Sequence, residues 1–260
     1  MKRILMLLVS VCCAMGVTLQ AQVPAVVAHR GFWRTEGSAQ NSLAGLLKGD
    51  SIGCEAVELD VWLTSDDVLV VNHDATFKGV IMQEATADVC TAVRLDNGER
   101  LPTLQQFLEA ARPLHTRLVI ALKAHRSAWR ETQAVERLVA LVQASGVSDR
   151  VEYISFSLHA TQELIRLAPS STPVYYLNGD LPPHLLKAMG CAGPDYHFSA
   201  FHQHPDWIAE CHRLGLKVNA WTVDDAKEME WLISQGVDFI TTDEPLTLQH
   251  LLSKRFANSH

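Results

Sequence analysis

The sequence predicts an α/β fold, a parallel (β/α)8 TIM barrel with a hairpin excursion after its second strand. Three observations carry this. Short β-rich runs alternate with amphipathic helical stretches, eight of each, from residue 26 onward. One extra strand-like run breaks the alternation just after the second strand. No linker, repeat or low-complexity stretch divides the chain.

The 260 residues open on Met1-Lys2-Arg3 and run apolar from Ile4 to about Val17, ending in Leu19-Gln20-Ala21-Gln22. A charged start, an apolar middle and a small-residue end make a secretory signal peptide. Residues 1–21 are therefore expected to be cleaved after Ala21, leaving 22–260 as the barrel domain of a periplasmic or secreted protein. The apolar run falls short of the roughly 20 residues that cross a membrane, and no other segment reaches that length. Loss of Lys2 and Arg3 leaves twenty basic against twenty-nine acidic residues and moves the net charge from −7 to −9. An acidic surface lacks the basic footprint of a nucleic-acid partner. Cys54, Cys90, Cys191 and Cys211 form no C-x-x-C pair, which argues against zinc and for buried free thiols. The sequence sets no oligomeric state.

The strand runs are 26–30, 56–60, 117–123, 151–156, 173–177, 196–200, 217–223 and 238–242. Helices are predicted over 42–52, 103–112, 127–145, 158–167, 182–189, 205–214 and 246–255, with one more capped by Asp224 and stopped by Gly236. The clearest is 127–145, where Val135, Leu138, Val139 and Val142 fall at i, i+3, i+4 and i+7 before Gly146. The extra run, 68–72, follows Thr64-Ser65-Asp66-Asp67, too short a gap for a parallel crossover. A turn centred between Ser65 and Asp66 would pair Glu58 with His73 and bring His73 down beside it, on the face where barrel active sites sit.

The first strand ends Ala28-His29-Arg30-Gly31. Histidine and arginine there suit an acid/base group beside an anion clamp, and Gly31 would let the backbone approach a ligand. The plainer reading is a histidine that satisfies a local hydrogen bond. In Val57-Glu58-Leu59-Asp60-Val61, period 2 puts Glu58 and Asp60 on one face. Two carboxylates in a barrel mouth repel unless a counter-charge joins them. A hard divalent cation, Ca²⁺ or Mg²⁺, supplies one, and a structural ion network with Arg30 and Lys123 is the alternative. His73-Asp74 adds a second imidazole, and two histidines beside a metal make an acid/base pair for phosphoryl transfer.

Taken together these stretches are far more specific than each alone. His29-Arg30-Gly31, then Glu58-Leu59-Asp60-Val61 with His73-Asp74 after it, then Leu101-Pro102-Thr103-Leu104 before a helix, resembles the glycerophosphodiester phosphodiesterase family. Val218-Asn219-Ala220-Trp221-Thr222-Val223 and the run from Gly236 to Asp243 look like that family's closing strands, so the resemblance spans about Val26 to Pro245. It implies a barrel that hydrolyses small glycerophosphodiesters to glycerol phosphate and an alcohol with a divalent cation, Ca²⁺ or Mg²⁺. By that resemblance His29 and His73 are the acid/base pair and Glu58 and Asp60 metal ligands. Arg30 and Lys123 match phosphate contacts, and Trp221 an aromatic of the substrate groove, with a barrel-layer tryptophan as its plain alternative.

Two departures stand out. Gln40-Asn41-Ser42 replaces the family's E-N-T. In Ile120-Ala121-Leu122-Lys123, alanine stands where the family has a glutamate two residues before the lysine, the third protein ligand. A lost ligand should cost at least the roughly 10–100-fold in metal affinity or activity that follows loss of an outer partner. Water, Glu36 or Glu152 are candidates to fill the place. Ala121 also leaves open a phosphodiester-binding protein with weakened catalysis. A related lysophospholipid or phosphoinositol phosphodiesterase is a further alternative.

Overall fold

A computed structural model describes residues 23–256, so the expected signal segment lies outside the described residues. Strand β1 (Ala25–Ala28), helix α1 (Leu43–Ser51) and strand β2 (Ala56–Leu63) open the barrel. The excursion follows as β3 (Leu69–Val71), β4 (Thr76–Phe77), β5 (Val80–Ile81) and α2 (Ala87–Ala92), before α3 (Leu104–Ala111). The alternation then resumes as β6 (Arg117–Leu122), α4 (Ala128–Ala144), β7 (Val151–Ser155), α5 (Leu158–Leu167), β8 (Val174–Tyr176) and α6 (Pro183–Met189). It ends as β9 (Gly193–His197), α7 (Phe198–Gln203), α8 (Trp207–Arg213), β10 (Asn219–Trp221), α9 (Ala226–Gln235), β11 (Phe239–Thr242) and α10 (Pro245–Phe256). No described helix is long and apolar enough to cross a membrane.

Eight parallel strands close in the order β1, β2, β6, β7, β8, β9, β10, β11 and back to β1, the (β/α)8 barrel the sequence predicts. Alternation along β2 explains the layering. Val57, Leu59 and Val61 face outward into the core shared with the helices, while Glu58 and Asp60 face the barrel interior. The apolar stripe of α4 (Val135, Leu138, Val139, Val142) is buried as its spacing requires, and Ser127 caps it by accepting from the Arg130 amide. The four cysteines among the described residues are buried and unpaired.

The excursion is larger than a hairpin. Beyond β3 it builds a satellite core from Trp62, Val70, Met82, Cys90, Leu95 and Leu101, with Ala39 from the segment before α1. Its register also corrects the expected one. Trp62 pairs with Val70 and Val61 with Val71, and the Asn72 amide donates to the Asp60 carbonyl, so the pairing is shifted by one residue. The physical reason lies in the turn. A two-residue hairpin of the favoured kind needs positive φ at both central residues. Here Thr64 instead accepts from the Val68 amide through its hydroxyl, and Asp67 takes the left-handed conformation (φ 63°). His73 therefore lies past the ladder and is set beside Asp60 rather than Glu58.

Two further boundaries differ. Strand β9 runs over Gly193–His197 instead of 196–200, and Phe198 onward is helical. Gly193-Pro194 has the composition of a turn but is extended here. A Cβ at 193 would stand 1.8 Å from the Lys217 carbonyl oxygen, so glycine is what lets β9 lie against the chain entering β10. The cap of α9 is Asp225, which accepts from the Lys227 and Glu228 amides, while Asp224 accepts from the Asp243 amide and the Thr242 hydroxyl.

Candidate active site

Following the register around the barrel places inward side chains in tiers drawn from alternate strands. Glu58, Ile154, Asp195 and Thr241 form one tier. His29, Ala121, Leu177 and Trp221 form the next toward the carboxyl ends, with Asp60 above them. All nine line one cleft, joined at its rim by Arg30, His73, Lys123 and Phe156. The seven site residues expected from sequence are thus brought together at one mouth.

Asp60 is the hub. Its Oδ1 lies 2.8 Å from the Lys123 ammonium, and its Oδ2 accepts from the Asn41 amide at 2.9 Å with Arg30 Nε 3.7 Å away. Burial pulls the Asp60 carboxyl upward, but Lys123, His73 and Asn41 together hold it below the usual carboxylate range. Among the described residues Glu58 accepts from the Arg30 backbone N–H alone, at 2.9 Å from Oε2. To donate it, Arg30 takes a left-handed backbone (φ 54°). Such a conformation costs about 1–3 kcal/mol and persists where the surroundings hold it. Here the Asn41 amide grips the Arg30 carbonyl, and the Arg30 guanidinium donates to Gln40 Oε1 at 2.6 Å. Gln40, the departure from the family pattern, thus steers the arginine as a neutral acceptor. Gly31 is required by the fold: with φ 82°, its Cβ position would meet the Gly45 carbonyl carbon of α1 at 2.7 Å.

Each imidazole is held by a carboxylate. His29 Nδ1 is 2.8 Å from Asp243 Oδ1, and His73 Nδ1 is 2.7 Å from Asp74 Oδ1. An ionised carboxylate only accepts, so both Nδ1 atoms carry a proton and each Nε2 is the nitrogen left to exchange one. His29 Nε2 takes a bond from Arg30 Nε at 3.2 Å. Asp243 also accepts from Trp33 Nε1 and Arg34, and these bonds outweigh its burial to keep it ionised. Desolvation lowers the His73 pKa more than the charge of Asp60 raises it.

Burial, then the charge of Asp60, raises the Glu58 pKa to about 7 from an ordinary 4.5, against the opposing pull of His29, Lys123 and the Arg30 amide. In the unfolded chain this carboxyl ionises near 4.5, so between about 4.5 and 7 the folded state holds the extra proton. The contribution of Glu58 to stability falls as pH rises through that window, while buried His125, lowered to about 4, contributes in the opposite sense. Melting in EDTA is therefore read as a difference: the stability of the protein relative to Glu58→Gln is expected to fall across the window. An equal slope in the variant would refute the assignment.

Sequence reasoning missed several members. Asp243 closes the last strand run and was readable there only as part of a motif. Asn41 sits in the loop before α1 and is placed by its own positive φ (58°). Asp195 was hidden by the late placement of β9, which broke the period-2 reading of its inward positions. Neither proposed stand-in for position 121 reaches the cleft rim. Glu152 lines the opposite end of the barrel, paired with Arg117 at 2.8 Å, and Glu36 is not among the cleft residues.

Trp221 lines the cleft and also belongs to the barrel layer, donating from Nε1 to the Asp195 carbonyl at 2.8 Å. Phe156 stands edge-on to it and is 40% exposed, an apolar rim residue opposite the polar wall. Beyond His73 lies a larger hollow of about 310 Å³ lined by Trp33, Gln40, Asn41, Asp74, Phe77 and others from the excursion.

A barrel of this topology with this cleft belongs among the phosphoric diester hydrolases, as the comparisons bear out. Residues 29–247 match the glycerophosphoryl diester phosphodiesterase family. A glycerophosphodiester phosphodiesterase of Caldanaerobacter subterraneus is 28% identical over 88% of this chain and 98% of its own. The crystal structure of one from Parabacteroides distasonis is 46% identical, with TM-score 0.89 over 90% of this chain and 98% of that one. An Oleispira antarctica phosphodiesterase, solved with the product sn-glycerol-3-phosphate, is 25% identical with TM-score 0.77 over 89% and 97%. The chain therefore belongs to the glycerophosphoryl diester phosphodiesterase family.

Proposed function

We propose that the protein hydrolyses small glycerophosphodiesters to glycerol phosphate and an alcohol, with divalent-cation assistance and histidine acid/base catalysis, after export. The observation that carries the reading is the pair of imidazoles, each held through Nδ1 by an aspartate, over a mouth that gathers Arg30, Lys123, Glu58 and Asp60. Arg30 and Lys123 meet the phosphate charge. His73, kept neutral by desolvation, takes the proton from the attacking oxygen, which is water or the neighbouring glycerol hydroxyl. His29 acts in its imidazolium form, which Asp243 stabilises through Nδ1; with Nε2 protonated, its contact with Arg30 Nε opens and that proton passes to the departing alkoxide. Trp221 and Phe156 cover the apolar side of the glycerol, and the hollow past His73 has room for the alcohol.

The donor set fits a hard cation in atom type and charge. Glu58 and Asp60 would be its ligands, carboxylate oxygens of the kind such an ion takes. When bound, Ca²⁺ or Mg²⁺ would polarise the phosphoryl group and neutralise charge on it. Purified protein incubated with glycerophosphocholine or glycerophosphoethanolamine is expected to release glycerol phosphate in Ca²⁺ or Mg²⁺ and to stop in EDTA. Absence of turnover under every metal condition, with measurable binding of the diester, would favour the weakened-binder alternative that Ala121 motivates.

A further inference from the structure

The cation site proposed above has two carboxylates on the barrel wall, Glu58 and Asp60, and an alanine where a third would stand. We infer that Asp195 is the third acidic group of that site, meeting the cation through a bound water from the far side of the barrel. The inference rests on the cation-dependent reading of the cleft.

The tier geometry places Asp195 where this role requires. Its strand, β9, is four places from β2 in a ring of eight, so Asp195 faces Glu58 directly across the barrel in the same tier. Both line the cleft. Ala121 belongs to the tier just above, and its methyl group leaves open the space that a longer side chain would fill. Asp195 is 2% exposed, and its Oδ1 is the single buried side-chain oxygen or nitrogen among the described residues without a hydrogen-bond partner. Buried polar atoms are almost always paired, so an orphan of this kind points to a ligand or water that completes it.

The backbone around it is firmly set. Trp221 Nε1 donates to the Asp195 carbonyl, and Gly193, two residues earlier, fixes the close approach of β9. Among the described residues no three acidic, histidine or cysteine side chains converge tightly enough to hold one ion between them. Direct ligation by all three acids is therefore not the arrangement. Water bridges the gap instead, and Mg²⁺ in particular keeps several waters of its own.

A purely structural aspartate predicts the opposite behaviour on substitution, which makes the two roles separable. Asp195→Asn removes a buried acid that lacks a full set of partners. The variant is expected to melt in EDTA at or above the wild-type temperature. Its affinity for Ca²⁺ and Mg²⁺, titrated by calorimetry on the mature protein, is expected to fall by about 10–100-fold. Asp195→Ser, smaller and also neutral, repeats the measurement should the amide disturb packing, with the same loss expected. Wild-type affinity in either folded variant overturns the inference and leaves the cation reading standing. A wild-type protein that takes up neither ion overturns both.

Discussion

Replacing His29 with alanine is expected to lower kcat on glycerophosphocholine by about 10²–10⁴-fold, the usual worth of a positioned acid or base. The argument is geometric. His29 Nδ1 is committed to Asp243, and that aspartate is itself fixed by Trp33 and Arg34, so the imidazole has one orientation and one working nitrogen. If His29 serves as the acid, its importance depends on how poorly the alcohol leaves. Choline and ethanolamine are alkoxides on departure and need the proton, whereas p-nitrophenolate does not. A p-nitrophenyl diester should therefore recover most of the rate lost by His29→Ala. His73→Ala should lose the same order of rate on both substrates, because the attacking oxygen needs its base whatever leaves. Equal losses for His29→Ala on the two substrates would show that the acid has been assigned to the wrong histidine.

Much of this site was legible before any coordinates. Period 2 in β2 aimed Glu58 and Asp60 inward, and strand-end placement put His29 and Arg30 at the active face, because both follow from backbone geometry alone. What stayed hidden depends on turns and on distant pairings. Turn conformation set the hairpin register, and a single left-handed residue, Asp67, moved His73 from Glu58 to Asp60. Asp243 reaches His29 across more than two hundred residues of chain, a contact that exists only because β11 closes on β1. Asp195 was obscured by Gly193-Pro194, whose composition signals a turn. The close pass of Lys217 over Gly193, which keeps that segment extended, is a tertiary fact.

Ala121→Glu is expected to raise Ca²⁺ or Mg²⁺ affinity by about 10–100-fold or more, with kcat rising alongside. Position 121 pairs with Asp60 across the β2–β6 register and is 4% exposed, so a glutamate there enters a space already holding buried acids. Without a cation that is unfavourable, since each uncompensated buried charge costs several kcal/mol. The variant should therefore melt below wild type in EDTA. With a saturating cation the gap should narrow by about 1.4–2.7 kcal/mol, because a 10–100-fold tighter ligand adds that much to the folded state through linkage. A gap that narrows in cation is what distinguishes a ligand from a merely tolerated side chain. The gain should also depend on Asp195. If that aspartate already serves the cation from across the barrel, adding a carboxylate at 121 helps most when Asp195 is gone. The effects of Ala121→Glu and Asp195→Asn on affinity should then depart from additivity, as they do for groups sharing one partner. Unchanged affinity and unchanged rate in Ala121→Glu would mean that two wall carboxylates suffice here, and that alanine at this position costs the enzyme nothing.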